Sequence, residues 1–463
     1  MRKFFAFVRG PRKARRLFGV LLSLTLLLGC FGMGTQAAAT DPTRVVCTYA
    51  GEDGKTMGFH WYTGAACAST VLVDGAPYTG ASVKFQGSYA HRAVVEGLAS
   101  GPHVYDIGGV TGTFHVNPGT GNNFEFIVTG DVQASDKAGF DYSAAVHAQA
   151  WAEIPGAAFS VILGDHTNSS NNAQWDGFFA SFAPVLAKGA LVPIAGNHDG
   201  NFKWNWFRNM FTLKEPNNLF SNPTGVYYSF DYGDAHIAVL NTNDMYPMSA
   251  AQQNWLVNDM KRSAANWKIV LMHRAPYSAG NDANLPDNLI MRRTLLPLFD
   301  KAGVDLVMYG HDHQYVRTRP MRGDKPVGEI AAAYTDPAGA VYILPGAAAT
   351  KLYDMHSNML PAVRDAMAVH KQTGMPMFAG ISIAGNTLTY MAYTYDPATG
   401  LSANYDHVVI TKTRFAGADP NFKPLPTDFL STLPQQMLCF LRVLFGALFG
   451  DYLFRLLPGM FGG

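Results

Sequence analysis

Two histidines one residue apart, His311 and His313, follow directly on the apolar run Val304-Asp305-Leu306-Val307-Met308-Tyr309 and the glycine at 310. By itself a His-x-His pair in a turn is ordinary loop polarity. Four other stretches of the same design give it weight: an apolar run that ends in Gly130-Asp131, in Gly164-Asp165, in Gly196-Asn197-His198-Asp199 and in Met272-His273. Each has a dull explanation when taken singly. Asp131 could cap a helix, Asp165 could make an Asx-turn, Asn197 could supply a left-handed turn residue, and His273 could be a bonded core histidine. Together they offer three imidazoles, two carboxylates and one amide oxygen. That is too many donors for one tetrahedral zinc. It suits two divalent or trivalent cations about 3.5–4 Å apart, which lower the pKa of a shared water and offset charge in an in-line displacement at phosphorus. Hydrolysis of phosphate esters is the expected chemistry, on a small phosphorylated substrate.

The elements that must position these residues are strands alternating with helices. Strands are expected at Phe124 to Thr129, Ala158 to Leu163, Leu191 to Ala195, Trp267 to Met272 and Val304 to Tyr309, with helices near Tyr142 to Glu153, Ala173 to Ala187, Ser249 to Arg262 and Leu289 to Lys301. This alternation argues a layered α/β domain with its chemistry at the carboxyl ends of the strands. Val226 to Tyr232 and Ala235 to Leu240 read as a hairpin around Gly233-Asp234. Strands from Ala340 to Leu344 and between Phe378 and Thr411 are expected to complete a second sheet. Before this domain, Thr43 to about Asn117 is rich in short strands and Gly/Pro turns. Within it, residues 92 to 108 read as a strand, a Leu-led turn and a second strand carrying Tyr105, resembling a corner of a fibronectin-type-III β-sandwich.

Taken together, the five blocks resemble those of the calcineurin-like metallophosphoesterases, and in detail those of purple acid phosphatases. Val270-Leu271-Met272-His273 before Ala275-Pro276-Tyr277, and His311-Asp312-His313-Gln314-Tyr315-Val316-Arg317, carry the closest wording. The resemblance implies an N-terminal fibronectin III-like β-sandwich followed by a four-layer α/β/β/α metallophosphoesterase domain. Boundaries on this reading are 1–39 for a signal segment, 40–118 for the sandwich, 119–415 for the catalytic domain and 416–463 for an amphipathic tail. It implies that Asp165 bridges two metal ions (Fe, Zn or Mn), that Asp131 and His313 complete one site, and that Asn197, His273 and His311 complete the other. His198 would bind phosphate and assist the leaving group, and Asp199 would orient His198. Two departures stand out. Asn168 replaces the tyrosine that ligates ferric iron in purple acid phosphatases, and Gln133 replaces a histidine common in the wider superfamily. Gln133 is left with three readings, holding a metal-bound water, capping the next helix or, as a poorer amide donor, ligating a metal directly. Tyr277 and Arg317 are pocket candidates by position; His166 reads as a solvated loop histidine, and His236 as structural. The insertion from Asn201 to Asn222, with Trp204, Trp206 and Phe207, reads as core packing over cleft wall. A phosphodiesterase or nucleotidase with the same centre, and a non-catalytic surface-binding protein, are the competing readings.

Composition narrows the partners. Lys and Arg number 35 against 34 Asp and Glu, a net charge of +1, which leaves no basic excess for nucleic acid. Arg2, Lys3, Arg9, Arg12, Lys13, Arg15 and Arg16 precede the apolar stretch Leu17 to Leu28, the pattern of an export leader. Leu27-Leu28-Gly29-Cys30 resembles a lipoprotein cleavage box that would leave Cys30 lipidated, and Ala37-Ala38-Ala39 an ordinary cleavage site. Either exit places the protein outside the inner membrane: secreted, periplasmic or on the outer surface. Membrane-surface contact would run through the leader lipid or through the Leu/Phe-rich tail, Gln435 to Leu457. In an exported protein Cys47 and Cys67 are expected to pair.

Overall fold

The computed structural model describes residues 39–200, 205–214, 224–244, 248–284, 286–415, 417–428, 430–441 and 444. The leader with Cys30, Trp204, and most of the tail beyond 441 lie outside them. From Pro42 onward the chain forms one unit.

Strands dominate, in two large sheets that share one apolar core. The first has eleven strands among the described residues. Its centre is the parallel set Phe124–Thr129, Ala157–Ile162 and Ala190–Pro193. These are short β-rich runs, and Ala157–Ile162 and Ala190–Pro193 are buried along their whole length, as parallel strands covered on both faces must be. The second sheet has seven strands, with Ala235–Val239, Trp267–Leu271, Leu306–Met308 and Val341–Pro345 parallel in that order. Tyr49 and Phe159 from the first sheet pack on Phe230 from the second, with ring centroids 4.5 and 5.7 Å apart.

Helices follow the strands where expected. Lys137–Glu153 starts at Asp136, whose carboxylate accepts from the Gly139 amide at 2.9 Å. Asn172–Leu186 starts at Asn171, and Ala250–Arg262 at Ser249, each capping the third residue on through its side-chain oxygen. Asp136 therefore takes the cap that was one reading of Gln133.

Three expectations change. Met377–Ala384, Thr387–Asp396 and Leu401–Thr411 do not build the second sheet. Met377–Ala384 runs antiparallel to Phe124–Thr129, so all three extend the first one. The N-terminal region is sheet-rich as expected, but it is continuous with the first sheet. Thr43–Tyr49 pairs in parallel with Ala190–Pro193 and carries Met57–Thr63, Ser88–Val95 and Ala81–Phe85 with it. A four-stranded sheet, with Gly101–Ile107 between Thr70–Val73 and Val110–Val116, holds Tyr105. Finally, Cys47 and Cys67 are both free. Cys47 points into the core, whereas Cys67 is exposed with its sulfur 3.8 Å from the Thr63 hydroxyl.

Candidate metal centre

Because both sheets are parallel at their centres, several strand ends open on the same side. Asp131 and Asp165 follow Phe124–Thr129 and Ala157–Ile162, and Asn197 follows Ala190–Pro193. His273 follows Trp267–Leu271, and His311 and His313 follow Leu306–Met308. The connecting backbone is tight. Asp165, His311 and His313 have φ of +51°, +82° and +41°, and Gln133 of +39°. A left-handed conformation at a non-glycine residue costs of the order of 1 kcal/mol or more, and such residues concentrate at functional sites. Gly196 allows close approach of two loops: a Cβ there would lie 2.1 Å from the Asp165 amide nitrogen and from its carboxylate.

Asp131, Asp165, Asn197 and His311 converge around His273, and His313 joins them through Asp131. His273 Nδ1 lies 3.4 Å from Asp131 Oδ1, and its Nε2 lies 3.4 Å from Asp165 Oδ2 and 2.9 Å from Asn197 Oδ1. Donor atoms of Asp165, His273 and His311 all lie within 4.8 Å of one another. The His311 amide donates to both Asp131 oxygens, at 3.1 and 2.9 Å. His313 Nε2 sits 3.8 Å from Asp131 Oδ2 and has no hydrogen-bond partner although it is buried; its Nδ1 donates to the Lys351 carbonyl. A buried ring nitrogen aimed at a carboxylate, with its own proton held on the far side, is a lone pair prepared for a cation. Asp131 and Asp165 are both fully sequestered. Burial, reinforced by Asp165, pushes the Asp131 carboxyl above the usual carboxylate range against the pull of His273. Burial acts the same way on Asp165, but His273 and the His198 amide outweigh it and hold that carboxyl low. Burial pushes His313 down to about 4, so the ring is neutral near pH 7. Two buried carboxylates in one cluster are stabilised by cationic charge, and the imidazole and carboxylate donors fit divalent metal ions.

His198 stands beside these donors, half-buried. Its amide donates to Asp165 Oδ1 at 2.9 Å, its Nδ1 donates to the Asn168 carbonyl at 2.6 Å, and its Nε2 lies 2.7 Å from the Gln133 side-chain nitrogen. Asp199 does not orient it, which corrects the expectation. The Asp199 carboxylate turns back beneath the loop and accepts from the Gly196 amide at 2.9 Å, the Thr167 amide at 3.2 Å and His166 Nδ1 at 2.9 Å. His166 is not a solvated loop residue. It is fully buried among Trp175, Phe178, Phe207 and Phe211, so Phe207 serves the core. Nor do Tyr277 and Arg317 line the site. The Tyr277 hydroxyl donates to Asp324 at 2.9 Å, and Arg317 forks onto Asp406 at 2.7 and 3.0 Å. His236 is structural, held between Asp231 at 2.7 Å and Asp259 at 2.8 Å. Asn168 is half-buried and its side-chain nitrogen donates to Ser169. One site neighbour was missed: Tyr353 stacks on His313 with centroids 4.4 Å apart and rings 18° from parallel. It lies on the loop after Val341–Pro345, another parallel strand of the second sheet, and that position was its readable signal.

Comparison with known proteins agrees with this geometry. Residues 124–315 match the model of the calcineurin-like phosphoesterase family. Acid phosphatase type 7 of Homo sapiens is 26% identical over 372 residues, covering 70% of this chain and 82% of the human protein. Acid phosphatase type 7 of Mus musculus is 27% identical over 202 residues, 39% of this chain and 45% of the mouse protein, so that match spans under half of the relative. Among solved structures, a purple acid phosphatase from yellow lupin (Lupinus luteus) seeds superimposes with a TM-score of 0.67 at 16% identity, covering 84% of this chain and 78% of the lupin chain, which speaks for the fold alone. The stretch 124–315, about two fifths of the chain, thus matches the calcineurin-like phosphoesterase family.

Proposed function

We propose that this protein is an exported phosphatase that hydrolyses phosphomonoesters at a binuclear metal centre. The observation that carries the reading is the convergence of Asp131, Asp165, Asn197, His273, His311 and His313 on one buried cluster, with His313 Nε2 left unpartnered. Asp165 would be shared between two cations. Asp131 and His313 would hold one cation, and Asn197, His273 and His311 the other. Bound there, such ions polarise a phosphoryl oxygen and make water acidic enough to attack near neutral pH. Iron, zinc or manganese all suit imidazole and carboxylate donors, and no phenolate is supplied from position 168.

The chain's own residues do the rest. His198 sits beside the cluster, its amide on Asp165 and its Nε2 at the Gln133 side chain, from where it would contact phosphate and give a proton to the departing alkoxide. Its Nδ1 is committed to the Asn168 carbonyl, which fixes the ring plane. Asp199 keeps the loops of Asp165 and Asn197 together. The basic, Leu-rich leader supports export, and the four-layer domain behind a fibronectin-like sandwich belongs to the same reading.

Turnover of p-nitrophenyl phosphate against bis(p-nitrophenyl) phosphate, with metal content measured alongside, tests it. Preference for the monoester, with metal and turnover both lost in Asp165→Ala, is the expected result. Preference for the diester would favour the phosphodiesterase reading. Equal metal content and no turnover in wild type and variant would favour a binding protein.

A further inference from the structure

Gln133 occupies a place the proposed mechanism does not use. Its backbone is fixed against the shared carboxylate residue: the Gln133 amide donates to the Asp165 carbonyl at 2.6 Å. Its side-chain nitrogen meets His198 Nε2 at 2.7 Å, and its side-chain oxygen accepts from the Tyr353 hydroxyl at 3.4 Å. Tyr353 is itself held. Its ring lies on His313, and its carbonyl accepts from Gln372 at 2.7 Å and from Gln314 at 3.3 Å. On the other edge of His198, Nδ1 faces a backbone carbonyl, which only accepts. Nδ1 therefore carries one proton, and Nε2 carries the second when His198 acts as the acid; a half-turn of the Gln133 amide presents its oxygen to that Nε2–H until the proton passes to the departing oxygen. The ring is gripped from both edges, by the backbone at Asn168 and by a braced glutamine.

We propose that Gln133, braced by Tyr353, is the positioning residue for His198: it fixes where Nε2 stands over the site and so governs departure of the leaving group, not metal binding. This rests on the phosphatase reading above. Positioning matters here because general acid assistance is worth about 10²–10⁴-fold only when the acid is in hydrogen-bond reach of the departing oxygen. A good leaving group needs little of that assistance and a poor one needs much.

The test uses the full-length protein with its metals. Gln133→Leu keeps an uncharged side chain of similar bulk and removes its amide; Gln133→His restores a polar ring nitrogen; Tyr353→Phe removes the brace. Metal per chain, kcat and KM are measured with p-nitrophenyl phosphate and with phenyl phosphate. In Gln133→Leu, metal content and KM stay near wild type, and kcat falls about ten-fold or more on phenyl phosphate but less than about three-fold on p-nitrophenyl phosphate. Tyr353→Phe moves the same way by less, and Gln133→His recovers part of the loss on phenyl phosphate. An equal fall on both substrates, no fall at all, or loss of metal from Gln133→Leu would overturn the assignment, the last by making Gln133 a ligand. A wild type that binds metal but hydrolyses neither substrate would instead sink the phosphatase reading, and the proposal with it.

Discussion

Replacing Asp199 by alanine separates two roles that the neighbouring His198 invites one to merge. If Asp199 served His198, the variant would fold normally and lose only turnover. The structure gives it different work. Its carboxylate accepts from two backbone amides and one ring nitrogen, and both it and His166 are fully buried. Truncation strands three donors in a water-poor interior, at about 1–3 kcal/mol each. Partial relaxation of the 196–199 turn lowers the sum, leaving roughly 3–5 kcal/mol. For a folded unit of about 420 residues, with unfolding entropy near 2.1 cal/mol/K per residue, that is a fall in Tm of roughly 3–6 °C. The two loops it joins carry Asp165 and Asn197, so metal content falls as well. Calorimetry or a dye-based melt, with metal analysis of the same samples, gives both numbers. A variant that melts with the wild type and keeps its metal while losing turnover would refute the clamp and restore the orienting role.

His198→Ala should do the reverse: melting and metal content stay within error of wild type while kcat falls by about 10²-fold or more, measured by steady-state kinetics on p-nitrophenyl phosphate. Gly196→Ala drives a methyl group onto the Asp165 amide and carboxylate, so it should abolish metal binding and turnover while leaving the strand content seen by circular dichroism intact. His236 gives a pH signature away from the site. Burial lowers its pKa, but Asp231 and Asp259 outweigh that and bring it to about 9, above the unfolded value near 6.5. Stability from this cluster is fully present below about pH 6.5 and is lost as pH rises to about 9. The loss amounts to at most roughly 3 kcal/mol, reduced by solvent screening at half-exposed Asp231. Urea midpoints between pH 6 and 9.5 should decline in the wild type and flatten in His236→Asn; identical slopes would remove His236 as the cause.

Much of the centre could be read from residue order because five of the donors sit one or two positions after an apolar run and His313 four positions after, and parallel strands place such positions together. The destination of a side chain was another matter. Asp199 and His198 are adjacent, yet one faces the core and the other the site. That divergence is set by the tight 196–199 turn, with the Asp199 amide bonded back to the Gly196 carbonyl, and not by residue type. His166 follows a residue with φ of +51°, which throws it inward among aromatic rings that come from distant stretches. Tyr353 is marked only by its place on the loop after a parallel strand, because a stacking partner forty residues back leaves no periodicity. Sheet membership was equally hidden: Met377–Ala384 is apolar and buried along most of its length, as a strand of either sheet would be, and only its partner, Phe124–Thr129, decides which sheet it joins.

The pairing of Thr43–Tyr49 with Ala190–Pro193 also governs when this molecule can finish folding. A ribosome releases the first of these strands about 140 residues before its neighbour, and Phe124–Thr129 waits roughly 250 residues for Met377–Ala384. Contacts this distant in the chain are slow to form, since loop closure precedes any reward from burial. Neither large sheet is completed within the first half of the nascent polypeptide, so the growing chain stays unlocked until nearly all of it has emerged, the condition in which a polypeptide can still be threaded end-first through a narrow pore.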